Sequence, residues 1–376
     1  LNGLLLDDLL RACVENEGSD LHIKADSPPL IRIHGDLLPL DIDPTASLPV
    51  SLNSEEAKWY CFSILSETQK ARFEEEYELD FAYEIKGVAR FRANLFMQRG
   101  NVGGVFRVIP YEIRTLEDLN LPEICKAFAE RPRGLILVTG PAGSGKSTTQ
   151  AAMIDYINRN FPCHIITVED PVEFVHTDSQ ALINQRELDT DTLSFPNALK
   201  SALREDPDVI LIGEMRDLET ISLAITAAET GHLVFGTLHT TDAVQTVDRV
   251  IDVFPTHQQQ QVRMQMSVNL LGVISQTLIK RKDGAGRVAA YEVLVAIPAV
   301  RNLIREAKTY QIGSIIQTGH RHGMQSLDQA MADMVRLGVV TVEEASSKAS
   351  NPLEFQALLS FNEDEASVTS RNGTHP

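Results

Sequence analysis

The chain reads as an α/β protein in which a phosphate-loop core follows a smaller α+β domain and precedes a helical C-terminal segment. Three observations predict this class. From Leu121 to about Tyr291, short apolar runs alternate with helix-length segments, the pattern of a largely parallel sheet covered by helices. Within it the apolar run Leu135 to Thr139 enters GPAGSGKSTT, and Ser147 to Asn158 continues as a helix, so a glycine-rich loop joins strand to helix. Ahead of about residue 110, alternating strand patterns and capped helices take over.

A length of 376 residues exceeds one ordinary domain. The net charge of -18, from 52 acidic against 34 basic residues, argues against a broad nucleic-acid surface, because phosphate backbones are held by clustered Lys and Arg. No apolar run reaches the roughly eighteen residues of a membrane span, and LNGLLLDDLL at the start lacks the basic region of a secretory signal. Cys13, Cys61, Cys125 and Cys163 form no C-x-x-C pair, so reduced thiols are expected, with neither a disulfide framework nor a zinc site.

Taken in order, Leu4 to Val14 has helical spacing. Leu21 and Ile23, then Ile31 and Ile33, alternate as two strands about the Pro28-Pro29 turn, with Gly35-Asp36 as a tight turn after them. Ser54 reads as the N-cap of a helix from Glu55 to about Leu65, and Ser66 as the cap of a second through Glu75. The acidic run Glu74 to Asp80 reads as a solvated helix end. Leu79 to Ile85, Ala89 to Gln98 and the run VFRVI follow as strands. Arg90 and Arg92 share one strand face, with Arg107 on the next strand; they are either a solvated surface or a phosphate-contacting set supplied across a subunit boundary. Pro110 and the polar stretch to Pro122 mark a linker. The expected division is 1–112, a linker 113–120, a core 121–295, a helical segment 296–361, and a tail 362–376 too polar to fold alone and so expected to be disordered.

Gly140, Gly145, Lys146 and Ser147 meet the pattern G-x-x-x-x-G-K-[ST]. From Gly140 through Pro141, Ala142, Gly143, Ser144, Gly145, Lys146, Ser147 and Thr148 the backbone can wrap an anion at a helix N-terminus. Lys146 adds a charge for the outer phosphates, and the Ser147 hydroxyl can ligate Mg²⁺. Such a loop takes a nucleoside triphosphate such as ATP. Three more apolar runs end in groups suited to phosphate chemistry: HIITVED in Glu169 and Asp170, VILIGE in Glu214, and LVFGTLH in His239. Parallel strands put all these ends along one sheet edge. Glu214 is assigned to polarising the attacking water, and Glu169 either to holding Mg²⁺ through water or to positioning the attacking water, with Ser147, Glu169 and Glu214 as the metal-side oxygens. Asp170 equally suits a cap of the next turn. His239 is assigned to the γ-phosphate, and His232, ahead of its strand, reads on pattern alone as structural. Arg186, Arg204 and Arg216 lie near these segments, where simple ion pairs with acids such as Glu205 and Asp206 are the plain reading.

Together these segments resemble the secretion ATPases of the type IV pilus and type II secretion superfamily, and within it the pilus-retraction, or twitching-motility, branch. The matching stretches are SDLH (Ser19 to His22), ARFRAN (Ala89 to Asn94), GPAGSGKSTT, ITVEDPVEFVH (Ile166 to His176), INQRE (Ile183 to Glu187), ALREDPDVILIGEMRD (Ala202 to Asp217), TGHLVFGTLHT (Thr230 to Thr240) and AVRNLIRE (Ala299 to Glu306). They run in family order over nearly the whole chain. The resemblance implies a PAS-like N-terminal domain, a RecA-like core, a homohexameric ring, and ATP with Mg²⁺ at the junction of the domains. It also implies Glu214 as catalytic glutamate, Glu169 as the Asp-box acid, His232 and His239 as the His-box pair, and Arg90, Arg92 and Arg107 as N-domain arginines near the nucleotide. The implied task is retraction of type IV pili from the cytoplasmic face of the inner membrane. Its implied partners are a pilus platform protein and a paralogous retraction ATPase, with peripheral membrane association and no nucleic acid.

Ala142 stands where the family usually has Thr, and Val300 where the retraction motif usually has Ile. The cysteine quartet usual in pilus-extension and type II secretion relatives is absent, which favours the retraction branch. A pilus-extension or secretion ATPase with the same site is the alternative within the enzymes. A RecA-like nucleic-acid motor, stimulated by DNA or RNA, and a nucleotide-binding scaffold without hydrolysis are the alternatives of other classes. In the C-terminal segment, after the Asp283 to Gly286 turn and a strand Arg287 to Val295, AVRNLIREAK presents Val300, Leu303, Ile304 and Ala307 as an apolar stripe and leaves Arg301, Asn302 and Arg305 exposed. The resemblance implies that this helix couples hydrolysis to retraction. Met324 to Gly338 reads as another amphipathic helix, and Gln258 to Gln261 falls in a helical pattern with no assigned function.

Overall fold

Apolar alternation and cap chemistry build two units, Leu1–Glu112 and Ile113–Pro376. The computed structural model describes residues 4–33, 36–40, 51–109, 112–284 and 286–360; Gly35, Pro110, Ala285 and the predicted tail 362–376 lie outside them.

The first unit runs α1 (Leu6–Glu15), β1 (Asp20–Ile23), β2 (Leu30–Ile33), β3 (Asp36–Pro39), α2 (Ser54–Phe62), α3 (Glu67–Glu76), β4 (Glu78–Ile85), β5 (Ala89–Gln98) and β6 (Asn101–Ile109). Its strands form one antiparallel sheet in the order β3-β2-β1-β6-β5-β4. Phe91, Ala93 and Leu95 on β5 alternate into a core shared with Leu6, Leu9 and Leu10 of α1 and Tyr60 of α2. One cap differs from expectation. Asn53, not Ser54, caps α2: its side chain accepts from Glu56 N at 2.9 Å while the Glu56 carboxylate accepts from Asn53 N at 2.8 Å. Ser54 Oγ instead donates to Asn101 Oδ1 at 2.6 Å. Ser66 caps α3 as expected. The acidic run is exposed but does not stay on the helix, since Glu78 and Asp80 already belong to β4.

The second unit continues with α4 (Glu123–Ala129), β7 (Gly134–Thr139), α5 (Lys146–Asn160), β8 (His164–Glu169), β9 (Leu182–Glu187), α6 (Phe195–Ala202), β10 (Val209–Ile212), α7 (Leu218–Glu229), β11 (Leu233–Leu238), α8 (Ala243–Asp252) and α9 (Thr256–Asn269). β12 (Leu270–Lys280), β13 (Arg287–Val295), α10 (Pro298–Arg305), α11 (Ile312–Thr318), α12 (Leu327–Arg336) and α13 (Val342–Ser346) complete it, with residues 352–360 also helical. The sheet order is β13-β12-β7-β11-β10-β8-β9, and every neighbouring pair is parallel except β12 and β13. Both faces are covered, so β7, β10 and β11 are buried at every residue and read as unbroken apolar runs. Leu135 and Leu137 face the core made with α6 to α11, and Ile136 and Val138 face α4 and α5.

Two elements depart from the sequence reading. β12 follows α9 without a break and takes the place beside the loop strand β7. On α10, Val300 and Ile304 are buried as expected, but Ala307 has left the helix with φ 58° and is exposed. Arg301, expected in solvent, is half-buried and donates to three backbone carbonyls. All four cysteines are free thiols. Among the described residues no helix is long and apolar enough to cross a membrane.

Candidate active site

The carboxyl ends of β7, β11, β10 and β8 lie side by side along one edge of the parallel sheet, so the predicted groups follow one another there as the loop, His239, Glu214 and Glu169. β7 ends at Thr139, and the loop turns through Gly140 with φ 142°, Gly143 with φ 73° and Gly145 with φ 90° into α5. Gly140 cannot be otherwise, since a Cβ there would lie 2.3 Å from the Gln276 carbonyl oxygen. Pro141, Ala142 and Gly143 are exposed at the tip, Ser144 is buried, and Ser147 and Thr148 are half-buried in the first turn of α5. Lys146 is buried, and its Nζ donates to the carbonyls of Gly140 at 2.8 Å and Pro141 at 3.0 Å. Burial pulls its pKa below the ordinary lysine value, against the opposing charges of Glu214 and Glu173.

Glu214, just beyond β10, is fixed from both sides. Its Oε1 lies 3.0 Å from His239 Nε2, and its Oε2 2.6 Å from Arg216 Nη2. Burial opposes its ionisation, but the hydrogen bond and charge of Arg216, with the charge of His239, outweigh it and hold the carboxyl below its ordinary range. Arg216 is therefore the partner of Glu214 itself, whereas Arg186 pairs with Glu205 at 3.4 Å.

Glu169 ends β8 beside this group, and Gly213 leaves room for it: a Cβ at 213 would lie 3.1 Å from Glu169 Cα. Thr167 Oγ1 donates to Glu169 Oε1 at 2.7 Å and Gln185 Nε2 donates to the same oxygen at 3.2 Å. Desolvation nonetheless pushes its pKa up to about 7.

His232 is not brought to this edge. It precedes β11, so it lies at the opposite edge of the sheet, where its Nδ1 is 2.9 Å from the Ala227 carbonyl and its own carbonyl accepts from Gly134 N at 3.0 Å. In the N-terminal unit, Arg92 and Arg107 are directly opposite across β5 and β6, and Asp20 is opposite Arg107 across β1 and β6. Arg107 Nε donates to the buried Asp20 at 2.9 Å, and Arg32 Nε lies 3.8 Å from the same carboxylate. Arg90 stands on the same strand face as Arg92, opposite Glu84.

Residues 113–347 match the family of type II/IV secretion system proteins. The chain belongs to this family. The type IV pilus retractation ATPase PilT of Pseudomonas aeruginosa is 52% identical over 350 residues, spanning 93% of this chain and 99% of that protein. The twitching motility protein of Neisseria gonorrhoeae is 54% identical over 323 residues, spanning 86% of this chain and 84% of that protein. A crystal structure of the pilus retraction motor PilT with bound ADP superposes at a TM-score of 0.87 with 45% identity, over 94% of this chain and 99% of that one. This member of the type II/IV secretion family is thus an ATP hydrolase, with the expected RecA-like α/β core following a PAS-like unit along the chain.

Four neighbours of the predicted residues were not singled out in the sequence: in the second unit Thr167 and Gln185 around Glu169 and Gln276 behind the loop, and in the first unit Asp20 beside Arg107. For Gln276 a signal was there, a Ser-Gln pair interrupting the apolar run of β12.

Proposed function

We propose that the chain is a hexameric motor that retracts type IV pili, binding ATP on Gly140 to Thr148 and hydrolysing it with Glu214 as the group that polarises the attacking water. One observation carries the assignment: an ionised Glu214 held between Arg216 and His239 at the edge where Lys146 and the loop lie. A fixed, charged acceptor is what an in-line water needs. Lys146 and the loop N–H groups take the phosphates, and His239 orients Glu214 while facing the γ-phosphate side. Ser147 Oγ and the carboxylates of Glu169 and Glu214 are the hard oxygen donors that would hold Mg²⁺. The positive charge such an ion would supply there falls to the phosphate oxygens. Arg90, Arg92 and Arg107 complete the site from a neighbouring subunit, and His232 serves the far edge of the sheet as a structural residue.

The 52% and 54% identities to a retractation ATPase and a twitching motility protein, each over most of the chain, support the retraction task. The motor then works at the cytoplasmic face of the inner membrane, against a platform protein and beside a paralogous ATPase. Lys146→Ala should lose nucleotide binding, and Glu214→Gln should keep ATP while turnover falls by roughly 10²- to 10⁴-fold. Normal turnover in the Glu214 variant removes that assignment. Deletion of the gene should leave surface pili present and twitching lost; loss of the pili would instead indicate extension.

A further inference from the structure

Behind the phosphate loop stands β12, and its Ser275-Gln276 pair meets the loop at both ends. Pairing of β12 with β7 ends at Ser275 and Thr139, whose hydroxyls are 2.7 Å apart, so the root of the loop is tied there. Thr246 Oγ1 on α8 adds a longer contact to Thr139 Oγ1 at 3.4 Å. Gln276 is the next residue, where β7 has already turned away. Its Nε2 donates to the Ser144 carbonyl at 2.7 Å, and its backbone carbonyl occupies the space a Cβ of Gly140 would take. A Cβ on Gly145 would lie 3.2 Å from Gln276 Nε2.

We infer that Gln276 is a positioning residue for phosphate binding, acting through the peptide that joins Ser144 to Gly145. The peptide unit is planar and trans, so its C=O and N–H point in opposite directions. Pulling the Ser144 oxygen toward β12 therefore aims the Gly145 N–H away from β12, toward the face on which the loop takes its anion. Packing does not account for the residue. Gln276 is 2% exposed, and its Oε1 has no hydrogen-bond partner among the described residues. A Met or Leu would fill the same space without burying an unpaired oxygen, so the amide is present for its N–H. Only the nitrogen end can face a carbonyl, which fixes how the amide is turned.

This inference rests on the loop being the nucleotide site, and the test separates the two. Gln276→Met keeps length and removes the donor; Gln276→Leu carries the same test if the Met variant does not fold. Affinity is measured for ADP, using a fluorescent derivative, and for adenosine as competitor, alongside the thermal midpoint. The Kd for ADP should rise roughly five- to tenfold, the worth of one hydrogen bond, while that for adenosine stays unchanged. Asn158→Ala is the control for lost stability: its buried amide donates to the Thr177 carbonyl at 2.8 Å and accepts from Ser179 N at 3.0 Å, at the far end of α5. It should lower the midpoint and leave ADP affinity intact. Wild-type ADP affinity in a folded Gln276 variant overturns the inference, as does equal weakening of ADP and adenosine, or an equal effect from Asn158→Ala. Undiminished ADP binding by Lys146→Ala would instead overturn the reading of the loop.

Discussion

Arg301 Nη1 on α10 donates to the Ser267 carbonyl at 2.7 Å, closing the last turn of α9. The same guanidinium reaches the Val268 carbonyl, and its Nε donates to Ala296 O at 2.7 Å. The last carbonyls of a helix lack intrahelical partners, and a cation there meets the negative end of the helix dipole. Burial, with the charge of Arg131, pulls the Arg301 pKa below its ordinary value, so the carbonyls offset a real desolvation cost.

The motif AVRNLIRE therefore splits into an inner and an outer half. Arg301→Ala should cost about 1–3 kcal/mol of stability by stranding backbone carbonyls. Asn302 and Arg305 make only exposed, local contacts, so their alanine variants should stay within about 0.5 kcal/mol. Under the proposed function these two keep ATPase activity and lose retraction. Urea unfolding combined with phosphate release on all three variants measures the split, and equal stability losses would abolish it.

At the site, His239→Ala should leave ATP binding near wild type and lower turnover by about 10- to 100-fold. Loss of the ring frees Glu214 Oε1 and leaves only Arg216 to orient the carboxylate. His232→Ala should leave turnover close to wild type when stability is matched, because that ring faces the Ala227 carbonyl at the other sheet edge. Steady-state phosphate release with nucleotide titration compares the pair. A His232 variant as inactive as the His239 variant, at equal stability, would mean that the far edge reaches a second subunit's site.

Much of this site was legible because an apolar run that stops at a polar residue marks a strand and its end together. Glu169, Glu214 and His239 were found that way, and the glycine loop named itself. β12 escaped because Asn269 passes straight into Leu270 with no glycine or proline between helix and strand. Arg301 escaped for a different reason. Helical periodicity says which side a residue faces, not that another helix ends there. His232 shows the converse, since a residue ahead of a parallel strand lies at the edge away from the ligand crevice, which chain order alone implies. Asn53 and Ser54 are adjacent capping residues, and only the hydrogen bonds to Glu56 and Asn101 decide between them.

If Arg107 serves a neighbour's phosphate loop, inactive subunits should complement each other. Lys146→Ala and Arg107→Ala are each expected to abolish most turnover alone. Mixed and reassembled, some rings place an intact loop against an intact arginine, and activity should return to a fraction of wild type. Asp20→Asn should behave as a weaker Arg107 variant, because its buried carboxylate holds the guanidinium at 2.9 Å. Native mass measurement should show six copies with nucleotide. No recovery on mixing, in rings shown to exchange subunits, removes the shared-site proposal.

Glu292 on β13 supplies a pH test away from the nucleotide. Its Oε1 accepts from Ala243 N, at the start of α8, at 2.7 Å, and the carboxyl also accepts from Leu327 N at the start of α12. Burial nevertheless pushes its pKa up to about 7, and the nearby charges of Asp242 and Asp328 add to that. Between the ordinary glutamate range and about pH 7 the folded chain therefore holds a proton that the unfolded chain has released. Stability from this group is full below the unfolded pKa and is lost as pH rises toward 7, a change on the order of 3 kcal/mol. Glu292→Gln, which still accepts a backbone N–H but cannot titrate, should equal wild type near pH 4 and exceed it at pH 8. Urea unfolding of both proteins at fixed concentration isolates the group, since every other titration is common to the two curves. Parallel curves would show that Glu292 ionises alike in the folded and unfolded chain, and that the two helix N-termini fully offset its burial.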